Sequence, residues 1–152
     1  MVRAIFLSGL LAGLSAAIPS SLFSRQDYCG GTGAPGYCTT LSYQDDTDDS
    51  SQTSADCQST CQDILSDSGD WSVDFTGQPA GYIDHMVLEA CGFGVGRATD
   101  DDTSSFSFKV HNEDILRAID GSVQRYANLH DGKVKAQGTM NCAGHVVRWY
   151  VG

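Results

Sequence analysis

The stretch Phe106-Ser107-Phe108-Lys109-Val110-His111-Asn112-Glu113-Asp114-Ile115-Leu116-Arg117-Ala118-Ile119-Asp120-Gly121-Ser122-Val123-Gln124-Arg125-Tyr126 changes its hydrophobic period halfway along, and that change decides the fold class. Phe106, Phe108 and Val110 alternate with polar neighbours, the period of a strand with one buried face. From Ile115 onward the apolar positions are Ile115, Leu116, Ile119, Val123 and Tyr126, a single stripe on a helix. Asn112 is expected to cap this helix, with Glu113 and Asp114 opposing the positive end of its dipole. Gly121 in its interior costs about 1 kcal/mol against alanine, so a neighbour is expected to pack against it.

Downstream, Val134, Ala136, Gly138 and Met140 alternate, and after a turn over Asn141 to Gly144 so do Val147, Trp149 and Val151. Upstream, Thr53-Ser54-Ala55-Asp56 has the form of a capping box, in which side-chain oxygens satisfy the free N–H groups of a helix start. The helix that follows carries Cys57, Cys61, Ile64 and Leu65, and Ser66 to Gly69 should close it in a left-handed cap. Trp71, Val73 and Phe75 read as a strand and Thr76 to Gly81 as a turn. Met86 to Val95 is the most continuous apolar run, expected to be one central strand covered on both faces. Within it Cys91, Phe93 and Val95 face one way and Gly92, Gly94 and Gly96 the other, a flat stripe suited to close packing by neighbouring structure. Arg97 to Ser105 is an acidic loop. The predicted class is α+β: a two-layer sandwich with two helices on one face of an antiparallel sheet.

The first residues carry a different signal. Arg3, the apolar run Ala4 to Leu14 and the small residues Ser15-Ala16-Ala17 form an export leader expected over residues 1–17, too short to span a bilayer. Ser24-Arg25-Gln26 offers a second processing point in the 18–53 segment, which reads as a turn-rich, cysteine-containing loop before a domain over 54–152. Export favours disulfides among Cys29, Cys38, Cys57, Cys61, Cys91 and Cys142, for which 15 pairings are open. Cys57 and Cys61, one helical turn apart, should take different partners, and one of them should tie the first helix to Cys91 or Cys142.

Charge narrows the partners. The chain has 9 Lys+Arg against 19 Asp+Glu, a net of −10. Such a surface disfavours nucleic acid and stable membrane insertion. No metal or cofactor is expected: His85, His111, His130 and His145 lack ligand spacing, the acidic runs lack an EF-hand pattern, and the glycines at Gly31 to Gly36 follow no strand. No GxSxG, HExxH or P-loop occurs. A small hydrolase such as a ribonuclease would need His111 with Glu113, His145 with Arg148, and Arg125 to converge. Each has a plainer reading as a surface or cap residue, so no catalytic residue is assigned.

Asp56-Cys57 opening a helix, Trp71 in a strand, Cys91-Gly92-Phe93-Gly94-Val95, Asp114-Ile115 opening a helix that reaches Arg125-Tyr126, Gly132-Lys133-Val134, Gly138-Thr139-Met140-Asn141-Cys142 and Trp149 occur in an order that resembles the fungal necrosis-inducing-factor domain of extracellular effectors. The resemblance covers about residues 54–152. It implies a small, secreted, disulfide-bonded protein that acts on host tissue or competing microbes; together with the missing catalytic motifs and the acidic charge, the expectation is a non-enzymatic monomer that binds a host or microbial extracellular or cell-surface protein. Cys61 and the Cys29–Cys38 segment depart from the family pattern and suggest an added bridge. The fold it implies also resembles that of secreted killer toxins, which makes a membrane-acting toxin the alternative.

Overall fold

The computed structural model describes residues 27–67 and 69–152; the leader and the processing point at Ser24-Arg25-Gln26 lie outside the described residues. The elements are β1 (Cys38–Thr40), β2 (Gln44–Asp45), β3 (Gln52–Thr53), α1 (Ser54–Ser66), β4 (Asp70–Asp74), β5 (Ile83–Val87), β6 (Phe93–Arg97), β7 (Ser107–His111), α2 (Asn112–Tyr126), β8 (Lys133–Val134), β9 (Ala136–Cys142) and β10 (His145–Val151). The class is α+β, every pairing is antiparallel, and there are three disulfides, one of them between the adjacent strands β1 and β9. The main sheet has the order β1-β9-β10-β6-β5, with β2 also on β9, while β3-β8 and β4-β7 form separate two-stranded ribbons. Helix α2 lies against β10, β1, β7 and β8, and α1 packs beside α2.

Alternation in the sequence becomes two faces in the sheet. Val147, Trp149 and Val151 on β10 and Ala136, Gly138, Met140 and Cys142 on β9 are buried with Ile115, Ile119 and Val123 of α2. Gly121 meets the expected neighbour: a Cβ there would lie 2.2 Å from the Tyr43 hydroxyl. The Tyr43 ring meets Trp149 edge-on at 5.0 Å and is covered by Arg125 at 3.8 Å.

Several local expectations need correction. The run Met86 to Val95 is two strands, not one, because the chain reverses through Leu88 to Gly92 so that Cys91 can reach Cys57 and its N–H can donate to Thr60 Oγ1. Only β6 is covered on both faces; β5 is an edge strand with a register irregularity between His85 and Val87. The cap of α2 is His111, whose Nδ1 accepts from the Glu113 N–H, while Asp114 Oδ2 accepts from the His111 N–H. Asn112 instead accepts the Trp71 indole N–H at 2.7 Å and donates to Ile64 O and Asp67 O, joining the end of α1 to β4. Helix α1 has the expected capping box at Thr53 and Asp56, but its cap residue Asp67 is in an extended conformation. The segment read as a loop before residue 54 contains β1, β2 and β3, and the first two extend the main sheet.

The pairings are Cys29–Cys61, Cys38–Cys142 and Cys57–Cys91, with no free cysteine. Cys57 and Cys61 do take different partners, and Cys57 ties α1 to Cys91. The other two bridges bracket residues 29–38, a strap laid across α2.

Candidate interaction surfaces

The groups that a hydrolase would need are dispersed. His111 is committed to its cap and meets the Tyr37 ring edge-on at 5.6 Å. Glu113, only 3% exposed, accepts from the Thr32 N–H at 2.6 Å and from the Thr32 hydroxyl. His145 stacks on Phe106 at 4.3 Å, Arg148 pairs with Asp100, and Arg125 donates to Gly121 O. Each is spent on a separate structural contact. Among the described residues, no group of three or more His, Cys, Asp or Glu side chains is placed to hold a metal ion, and no helix is long and apolar enough to cross a membrane.

One concave surface lies where the strap crosses α2. The α2 carboxylates receive the strap's backbone: Asp120 accepts from the Tyr28 N–H, Glu113 from Thr32 and Asp114 from the Tyr37 N–H. Arg117 returns a bond to Ala34 O. Apart from the Thr32 hydroxyl on Glu113, this recognition reads the path of the strap's main chain, for which the sequence held no signal. Asp114 is 3% exposed, and its Oδ1 has no hydrogen-bond partner, with Arg117 Nη1 4.0 Å away. A cleft of about 370 Å³ runs beside it, lined by Thr39, Tyr43, Asp114, Arg117 and Arg125.

The main sheet leaves its other face half-exposed along β9 and β10, while β6 is covered there too. The register sets Thr39, Asn141 and Val146 in one row, Thr139, Arg148, Gly96 and Ile83 in the next, and Gln137, Tyr150, Gly94 and His85 in the third. Side chains alternate between sheet faces, so these residues oppose the buried Val147, Trp149 and Val151. Gly94 and Gly96 form the floor, and Tyr150 leans over it: a Cβ on Gly96 would stand 3.5 Å from Tyr150 Cε2. The glycine stripe thus accommodates neighbouring structure, as its pattern suggested. Arg148 sits 5.8 Å from the Tyr150 ring centre and is held by Asp100.

Arg97 is the structural residue that sequence reading missed. It is 3% exposed and donates to Phe75 O at 2.7 Å, Ser104 O at 2.9 Å, Pro79 O at 3.0 Å and Gln78 O at 3.1 Å, with its guanidinium 4.9 Å from the Phe75 ring centre. The available signal was a lone cation closing an otherwise apolar strand.

Comparison with known proteins fits this arrangement. A stretch of the curated "Probable chitinase LysM18" of Penicillium expansum is 27% identical over 107 residues, which is 70% of this chain and 7% of that protein. The chain thus spans a small fraction of the relative's length. A family profile described as "Pathogen effector; putative necrosis-inducing factor" matches residues 37–142, from Tyr37 at the end of the strap through Cys142 on β9, and leaves Cys29 outside. That match takes in both helices and most of the main sheet, so the chain belongs to this effector family, Hce2.

Proposed function

We propose that this protein is a secreted effector that acts by binding, as a monomer, a host or microbial protein outside the cell or at its surface, and that necrosis follows from that binding. The observation that carries the reading is the dispersal of His111, His145, Arg125 and Arg148, each engaged with a different structural partner. Secretion is supported by the effector family and by three disulfides, which persist in oxidising compartments. The monomer is supported by the exposed edge β5: Asp84, opposite Val95 on the inward-facing side, places a carboxylate where edge-to-edge pairing is disfavoured.

The relative's name favours a second reading, action on chitin. Glycoside hydrolysis generally uses two carboxylates flanking an accessible bond. Here the neighbouring Glu113 and Asp114 are both buried and hold the strap, which weighs against hydrolysis. The test is infiltration of the purified protein into host tissue together with crosslinking capture from extracellular fluid and a turnover assay on chitin oligosaccharides. Necrosis with a captured protein and no turnover supports binding; turnover by the pure protein overturns it.

A further inference from the structure

The open face of the main sheet is chemically unlike the rest of the molecule. The chain carries 19 acidic residues at a net charge of −10, yet the three rows of this face contain no Asp or Glu. Its one arginine, Arg148, is neutralised by Asp100. What remains is the hydroxyl of Thr39 and the amide of Gln137, the capacity that Thr139 and Asn141 keep beyond their bonds to Ser42 Oγ and the Gly144 N–H, and Val146, 45% exposed, with Ile83 and His85 at the β5 edge. Tyr150, on the middle strand β10, lies against Gly96, whose missing Cβ lets the ring approach the sheet. Helices cover the opposite face.

We propose that this face, centred on Tyr150, binds a neutral polysaccharide of a cell wall. Charge complementarity supports that occupant: polyanions are repelled by the molecule as a whole, and a polycation would find its carboxylates elsewhere. A neutral polymer presents hydroxyl or acetamido groups to side-chain amides and hydroxyls, and its apolar ring faces to an aromatic ring. Gln137, Thr139 and Asn141 follow one another on a single strand, about 6.8 Å apart at the strand rise, so a chain lying along β9 meets a repeating row of donors and acceptors. The inference goes beyond target binding and places the effector on the wall near its protein target.

Sedimentation of the purified full chain with insoluble chitin, β-1,3-glucan and cellulose tests this, followed by titration with the matching soluble hexasaccharide. One polymer retains the protein, and raising ionic strength from about 0.1 M to about 1 M, which shortens the screening length from roughly 10 to 3 Å, leaves retention unchanged. Tyr150→Ala weakens binding about tenfold or more, the scale of a central contact residue. Because Tyr150 also packs on the sheet, Gln137→Ala combined with Thr39→Ala serves as the second variant; it weakens binding about tenfold with an unchanged melt, while Lys109→Ala on β7 has no effect. No retention on any of the three polymers, retention lost in salt, or retention untouched by both face variants overturns the proposal. Loss of protein-target capture in the face variants without polysaccharide binding also overturns it, by showing the face to be the protein contact. Intact necrosis alongside failed sedimentation leaves the proposed function standing and removes this inference alone.

Discussion

Replacing Arg97 with methionine should destabilise the fold by about 3 kcal/mol, through carbonyl groups and not through a lost ion pair. The guanidinium donates to four loop carbonyls. Two of these keep another partner in the variant: Phe75 O accepts from the Gln78 N–H and Pro79 O from the Tyr82 N–H. Gln78 O and Ser104 O have no other donor among the described residues, and each loses a part-buried hydrogen bond to a charged donor, worth about 1.5 to 3 kcal/mol. Methionine restores much of the packing volume but no donor. Two orphaned carbonyls, partly relieved by water at the loop surface, give about 3 kcal/mol, or a melting midpoint lower by roughly 6 to 12 °C for a chain of this size. Lysine should recover less than half, because one ammonium cannot span the fork of positions that the planar guanidinium reaches. Urea and thermal melts with all three disulfides intact measure this. A change below about 0.5 kcal/mol for Arg97→Met would refute the reasoning and show that the two loops are held by Phe75 packing alone.

The remaining predictions concern the bridges and one titrating turn. Cys91→Ser breaks the link to Cys57 across a separation of 34 residues and should cost about 2 to 5 kcal/mol, whereas Asp101→Asn in the exposed loop should stay under about 0.5; equal midpoints in paired melts contradict the role given to that bridge. Hydrogen bonds from the Ser50 hydroxyl and N–H hold the Asp48 carboxyl at about 2, below the ordinary carboxylate value. The carboxylate therefore stabilises its turn fully above about pH 3.9, its unfolded value, and that support fades as pH falls toward 2. An NMR titration of Asp48 with a midpoint near 4 would contradict this.

What the sequence disclosed was periodicity. Phe108, Val110, Trp149 and the α2 stripe fell on the faces that their spacing required, because burial of a face is a local pattern repeated along one element. The capping box at Thr53 and Asp56 was legible for the same reason: donors and acceptors lie within one turn. Elements joined by distant contacts were not. The break at Leu88 to Gly92 depends on a bridge to Cys57, and the cap of α2 passed to His111 because Asn112 is claimed by Trp71 and the end of α1. The strap on Glu113, Asp114 and Asp120 is held mostly by backbone groups, which carry no residue identity for a sequence to show.

The claim that this effector works by binding is tested most directly by a variant in which His111, His130 and His145 are all alanine, compared with the parent chain for necrosis in infiltrated tissue and for turnover of RNA, polysaccharide and ester substrates. His111 caps α2, so its melt is recorded alongside and a His111→Asn version restores the cap. The account predicts undiminished necrosis in the folded variant, no turnover by either protein and no dye release from liposomes. Turnover by the parent that disappears with one histidine while the melt is unchanged would contradict it and make that residue a general acid or base.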